Sequence, residues 1–329
     1  VLIVFGVLTA ALAAFFMAQS ILRPPRMSDG KALYLLRRLA PDDLGLPYES
    51  LKFKVRDQRT GGALLLAAWW VPCRTDEPSA GGNARSDRCA VLIHGYADAK
   101  VGAIAWAPLW HELGYNLLVP DLRAHGESEG TFTTGGYFEQ HDMVQMINQA
   151  RAQRPSQTQT LVLFGASMGA VVAAATAAAM GPGEVSAVVL ESPIADMRNA
   201  ISAHMDRLGM PRGLMRFAAL GLAQALSGAR FEDIRTAHLL AALPCPAMVI
   251  SPPRDVYLLP GDAQAIRSAL ARRTAAGGAD CYWPTDNAEH LTAIVRQPAE
   301  YHRRVAEFLE ARESAMMRTM GEAWVKHEE

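Results

Sequence analysis

The chain has 329 residues, half of them apolar and one fifth charged, with 32 Lys and Arg set against 33 Asp and Glu. A length of this order allows one or two domains around a large core. The near-zero net charge and the lack of a long basic run exclude nucleic acid as the expected partner and leave a small or neutral molecule as the expected substrate.

Residues 1–18 hold no charge and no proline, close to the roughly 20 residues a membrane-spanning helix needs. The run exceeds the roughly 7–15 apolar residues of a signal-peptide core, and no small-x-small cleavage site sits neatly before Arg23. Residues 1–22 are therefore read as a membrane anchor, with a cleaved signal as the competing reading. Arg23, Arg26, Lys31, Arg37 and Arg38 follow directly, which by the positive-inside rule puts the rest of the chain on the cytoplasmic side. Residues 23–47 read as a juxtamembrane linker. They open on the stiff Arg23-Pro24-Pro25-Arg26 break, carry a short basic amphipathic helix over 31–39, and close on turn residues.

Residues 51–55 alternate apolar and polar as a half-buried strand does, and 63–71 read as an antiparallel partner across Gly61-Gly62. After a Gly/Ser-rich loop over 78–88, an apolar run at 89–93 reads as a buried parallel strand ending in His94-Gly95-Tyr96-Ala97. His94, just after that strand, is expected to stabilise the turn. Helices at 101–113, 138–153 and 168–180 then alternate with strands at 115–120, 160–164 and 185–190, which predicts a mostly parallel sheet with right-handed crossovers. This first part of the core spans 48–193. The alternation lapses over 194–243, where helical pieces broken at Gly209-Met210-Pro211 and Ser227-Gly228 suggest a helical cap. Within it Met205, Met210, Met215 and Phe217 either face an acyl substrate or pack onto the core. The second part of the core, 244–312, resumes with a strand at 247–251, a helix at 262–272 capped by Asp262, a short strand near 280–283 and a closing helix from Pro298. A polar tail, 313–329, is expected to fray. Cys73, Cys89, Cys245 and Cys281 have no zinc-ligand spacing. Cys73 and Cys89 would pair only in an oxidising compartment.

The strand Leu161-Val162-Leu163-Phe164 meets Gly165-Ala166-Ser167-Met168-Gly169 and passes straight into an Ala-rich helix. A Gly-x-Ser-x-Gly in that context is a nucleophile elbow, a strained turn that only small neighbours tolerate. Gly126-Glu127-Ser128-Glu129-Gly130 has the same spacing without strand or helix, and Ser128 reads as a polar loop residue. A serine hydroxyl needs an imidazole to take its proton and a carboxylate to orient that imidazole. Of the histidines after Ser167, only His290 lies on a loop following the last strand. His204 and His238 fall in the cap, His302 in the final helix and His327 in the tail. Two carboxylates follow a strand at the right place, Asp255 after 247–251 and Glu191 after 185–190; loop position favours Asp255, and Glu191 stays open as the alternative. The N–H groups of Met168 and of Tyr96 or Ala97 are the expected oxyanion donors.

Taken together, His94-Gly95, Asp121-x-Arg123-x-His125-Gly126-x-Ser128, the Gly165 to Gly169 elbow, Asp255 with the later Pro260, and Glu289-His290 resemble the α/β-hydrolase superfamily over about residues 48–312. In that family's pattern a glycine usually stands where Pro252 is here. The resemblance is greatest to bacterial members with an N-terminal apolar anchor, and it implies the α/β-hydrolase fold, an inner-membrane location and a serine hydrolase of esters (carboxylesterase, lipase or thioesterase-like) acting through Ser167, Asp255 and His290. No metal or organic cofactor is implied, and oligomeric state is not indicated. A peptidase of the same fold is an alternative, with Asp196, Asp206, Glu232 or Asp233 available to bind a peptide amine. A non-hydrolytic or non-catalytic member is the other.

Overall fold

The computed structural model describes residues 2–73, 86–207, 209 and 213–325. Its elements are α1 (Leu2–Leu22), α2 (Asp29–Leu36), β1 (Glu49–Arg56), β2 (Ala63–Val71), β3 (Arg88–Ile93), α3 (Lys100–Ala103), α4 (Ala107–Glu112), β4 (Asn116–Pro120), α5 (Glu139–Gln153), β5 (Thr160–Ala166), α6 (Met168–Met180), β6 (Ala187–Glu191), α7 (Met197–Arg207), α8 (Leu214–Ser227), α9 (Thr236–Ala242), β7 (Ala247–Ile250), α10 (Pro260–Ala275), β8 (Cys281–Trp283), α11 (Ala293–Arg296) and α12 (Pro298–Val325). The strands form one eight-stranded sheet in the order β1-β2-β4-β3-β5-β6-β7-β8. The β1–β2 and β2–β4 pairs are antiparallel and the pairs from β4 through β8 are parallel.

The reason for the arrangement lies in the apolar runs. Every residue of β4, β6 and β7 is buried, as expected of strands covered by helices on both faces. On one face α6 presses an almost unbroken series of small side chains onto the sheet, with Met168 through Ala177 buried. Alanines allow that close approach, and they leave room for α5 and α9 outside. On the other face Trp106, Trp110, Phe164, Trp283 and Tyr301 build a second, aromatic-rich core. The carboxyl ends of the parallel strands all point one way, so the loops after β3, β5, β7 and β8 gather along one rim.

Helix α1 does more than lead into the domain. Ala14, Met17, Ala18, Ile21 and Leu22 are buried at spacings of three and four, one face of a helix, and this face packs against α8. The Leu22 carbonyl accepts from Thr133 N–H at 2.8 Å, and Arg26 Nη1 donates to the carbonyls of Gly126 and Ser128 at 2.7 Å each. The closing helix α12 continues to Val325, past residue 313, where the polar tail was expected to begin. The loop predicted over 78–88, Met210 and Pro211 of the predicted cap break, and residues 326–329 lie wholly or largely outside the described residues. None of the four cysteines is in a disulfide.

Below the rim the Asp121 to Ser128 segment is held by buried charge. Arg123 donates through Nε and Nη2 to Asp142 at 2.6 and 2.7 Å and through Nη1 to Asp57 at 3.0 Å. Burial pushes the Asp142 carboxyl up to about 6 in spite of the arginine. Removing the guanidinium leaves that carboxylate desolvated with no partner. Arg123→Ala is accordingly expected to lower unfolding free energy by about 3–5 kcal/mol, read as a shift of the urea midpoint.

Candidate active site

The turn between β5 and α6 puts Ser167 at φ 57° and ψ −117°, a conformation unfavourable for an L-residue and retained only where its surroundings over-determine it. Two glycines make those surroundings possible. A Cβ on Gly165 would collide with the backbone of Gly169, and one on Gly169 with the carbonyls of Ile93 and His94. The Ser167 N–H donates to the Glu191 carbonyl at 2.9 Å, tying the turn to the end of β6.

Ser167 Oγ lies 2.9 Å from His290 Nε2, and His290 Nδ1 lies 2.8 Å from Asp255 Oδ2. Because a carboxylate only accepts, Nδ1 carries the proton toward Asp255 and Nε2 is left to accept from the serine hydroxyl. Asp255 is reached from β7 through Pro252-Pro253-Arg254, and its Oδ1 accepts the Tyr257 N–H at 2.9 Å. Arg254 Nη2 donates to the Asn287 carbonyl at 2.8 Å, which joins the aspartate loop to the histidine loop. Leu291 N–H donates to Ser192 Oγ at 3.2 Å, and the Tyr257 ring sits 4.7 Å from the imidazole centroid. The side chain of Asp255 is 2% exposed and that of His290 17%, so the pair is shielded while the imidazole edge still faces the cavity.

Met168 is the first residue of α6, where an N–H has no acceptor within the helix. Gly95 backs directly onto the elbow, since a Cβ there would stand 3.2 Å from Ser167 Cβ. Its neighbours Tyr96 and Ala97 line the same cavity as Met168 and Ser167. Burial pushes the Tyr96 phenol up to about 12, and its hydroxyl donates to the Ser20 carbonyl of α1 at 2.7 Å. His94 faces the other way. Its Nε2 accepts from Leu122 N–H at 3.0 Å, and burial lowers it to about 4, so it serves the turn as a neutral ring.

The cavity above Ser167 has a volume of about 370 Å³, and Ile21, Met197, Ile201 and Phe231 supply much of its apolar wall. Thr133 and Thr134 form part of the same wall. The buried Glu139 carboxylate holds them, accepting from Thr133 Oγ1 at 2.9 Å and from both the N–H and hydroxyl of Thr134 at 2.6 Å.

Several expectations need correction. Glu191 does not reach His290: its Oε2 accepts from Trp106 Nε1 at 2.7 Å and from Tyr301 hydroxyl at 2.6 Å, on the face of the sheet opposite α6. Asp262 is not a helix cap, because α10 begins at Pro260 after Leu259 with no side-chain cap, and its carboxylate instead accepts from Asn199 Nδ2 at 3.1 Å. Of the cap residues read as either facing an acyl group or packing onto the core, Met205 is core and Met215 is partly buried against it, whereas Phe217 does neither and is 76% exposed. Ser128 needs no correction: it is a loop residue, as expected, donating to the Asp121 carbonyl at 2.7 Å and accepting from Ala67 N–H at 2.9 Å. Asp196, Asp206 and Asp233 face arginines, and none of these nor Glu232 lines the cavity. The sequence reading missed Met197 and Ile201, although their four-residue spacing at the start of the cap marks one apolar face. It also missed Ile21, whose helix carries no charge and only three polar residues, Thr9, Gln19 and Ser20, to orient it.

Burial raises the Glu191 carboxyl to about 7, only partly offset by Tyr301 and Trp106. A carboxyl with a raised folded-state value adds stability that is complete below its unfolded value and is lost as pH rises through about 7. Between about pH 5 and 8 the wild-type melting temperature is therefore expected to fall more steeply than that of Glu191→Gln, whose amide does not titrate.

A serine on a strained strand-to-helix turn, under loops from the carboxyl ends of a parallel sheet, defines an α/β hydrolase. The alpha/beta hydrolase fold family matches residues 91–288, and the chain belongs to it. The uncharacterized protein YqkD of Bacillus subtilis (strain 168) is 21% identical over 224 residues, 67% of this chain and 70% of that protein. The esterase Pf2001 of Pyrococcus furiosus has the same fold, with a TM-score of 0.65 at 23% identity over 88% of this chain and 99% of that one. Dipeptidyl peptidase 4 of Porphyromonas gingivalis shares the fold with a TM-score of 0.60 at 18% identity, over 85% of this chain and 37% of that one.

Proposed function

We propose that the chain is a serine hydrolase that cleaves carboxylic esters through an acyl-enzyme. The observation that carries the reading is the unbroken hydrogen-bond series from Asp255 through His290 to Ser167 Oγ. His290 Nε2 accepts the serine proton as Oγ bonds to the carbonyl carbon, and the carbonyl π electrons move onto oxygen. The N–H groups of Met168 and Tyr96 stabilise that oxyanion, each such donor being worth about 10²–10³ in rate. As the intermediate collapses, the alkoxide leaves with the proton held by His290. Water then repeats the sequence on the acyl-serine, with His290 as base, and releases the acid and free Ser167. Asp255 keeps the imidazole in the productive tautomer and stabilises its cationic form.

The mostly apolar cavity, whose acidic wall residue Asp98 accepts the Ala99 N–H at 2.8 Å and is pushed up to about 6 by burial, favours an uncharged acyl chain over a peptide whose terminal amine needs an ionised partner. Helix α1, with mean hydropathy 1.9 over Val4–Leu22, serves in this reading as a membrane anchor, and the basic residues after it put the hydrolase domain on the cytoplasmic side. The test is a series of nitrophenyl esters of rising chain length. Ester hydrolysis with a burst of nitrophenol is expected; hydrolysis of dipeptidyl anilides in preference to every ester would overturn the ester assignment.

A further inference from the structure

Two helices expose apolar surface that no part of the described chain covers. Along the first half of α1 residues 4–6 and 8–12 are all exposed, the large apolar ones being Val4 at 62%, Phe5 at 69%, Leu8 at 63% and Leu12 at 56%. Helix α8 runs against the second half, and its outward residues Leu214, Phe217, Ala218, Gly221 and Ala225 are all uncharged. Leu214 and Phe217 are 83% and 76% exposed. The only charged residue of α8, Arg216, turns back to Asp206 Oδ1 at 2.7 Å. A helix of a soluble domain normally sets polar residues on its outer side, and α8 lacks them. Beyond α1, helix α2 adds Leu33, Tyr34 and Leu35, at 53%, 77% and 55% exposed, beside the exposed cations Arg23 and Arg37.

This surface reaches the chemistry through one residue. Ile21 sits on the inner face of α1 and is also part of the wall of the cavity above Ser167. The neighbouring Ser20 carbonyl holds the Tyr96 hydroxyl, on the loop that carries a proposed oxyanion donor. The helix that meets the membrane is therefore a wall of the substrate site.

The geometry points to the exposed first half of α1 entering the bilayer as the anchor while its buried second half and the cap helix α8 lie against the bilayer surface, so that the cavity takes its substrate, an acyl ester resident in the lipid, along the Ile21 side of α1. This rests on the ester-hydrolase reading given above. A lipid surface is the occupant that fits. An exposed helix half on which Thr9 is the one polar side chain offers little patterned contact to a protein partner, and the exposed cations Arg23 and Arg37 after it match anionic headgroups.

The experiment uses the full chain in vesicles of phosphatidylcholine and phosphatidylglycerol. In Phe217→Trp the added tryptophan emission is expected to be quenched by brominated acyl chains. In Leu214→Asp/Phe217→Asp, both sites being exposed, hydrolysis of umbelliferyl oleate dissolved in the vesicles is expected to fall about tenfold or more, since a carboxylate resists entry into lipid. Hydrolysis of water-soluble umbelliferyl acetate is expected to be unchanged. Unquenched tryptophan, equal loss on both esters, or a dimer formed through this face in place of lipid contact would overturn the proposal. Quenching with no hydrolysis of either ester would instead overturn the ester-hydrolase reading, and the substrate assignment with it, while leaving the docking face standing.

Discussion

Replacing Ser167 by alanine is expected to reduce kcat/KM for a nitrophenyl ester by about 10⁵–10⁶-fold, the loss typical of removing the nucleophile from a triad that acts as a unit. The change deletes one oxygen. It leaves the strained turn in place, because the collisions that define it involve Gly165, Gly169 and the carbonyls of Ile93 and His94, not the hydroxyl. Urea denaturation should therefore match wild type. That separation makes the result interpretable: lost activity with an intact fold assigns the chemistry to Oγ. A loss below about tenfold would mean that another group attacks the substrate.

The second large effect concerns the acid. Asp255→Asn is expected to lower kcat by about 10⁴-fold. The amide can donate to Nδ1, which favours the tautomer with its proton on Nε2, where no serine proton can be accepted. Glu191→Gln should stay within about tenfold of wild type, because its carboxylate is bonded to Trp106 and Tyr301 and only its backbone carbonyl touches the elbow. Ester hydrolysis by the two variants checks this directly. The reverse order, with Glu191→Gln the more damaged, would assign the orienting role to the wrong carboxylate.

Much of the architecture was legible because the signals are local. The strand-turn-helix around Ser167 is visible in six apolar or small residues on either side, and continuous apolar runs mark strands buried on both faces. The order of the motifs along the chain suffices to place them on one rim, since parallel strands present their carboxyl ends together. What was not legible depends on partners distant in sequence. Asp262 has the residue type of a helix cap, but the helix starts two residues earlier and the side chain is taken by Asn199. Glu191 ends a strand as a catalytic acid would, and nothing nearby in sequence announces Trp106 and Tyr301. Met205 and Phe217 share chemistry with Met197 and Ile201, and only the packing of the cap distinguishes core, surface and cavity wall. For α1 the composition was plain and the docking was not. A helix without charged residues, polar only at Thr9, Gln19 and Ser20, has too little periodic signal to show that Ile21 and Leu22 face inward.

The most direct measurement of the central claim is the site of covalent capture. After treatment with a fluorophosphonate, peptide mass spectrometry should find the phosphonyl adduct on Ser167, and Asp255→Asn should slow its formation without moving it. An adduct on Ser128, or none in a folded protein that still hydrolyses esters, would contradict the account.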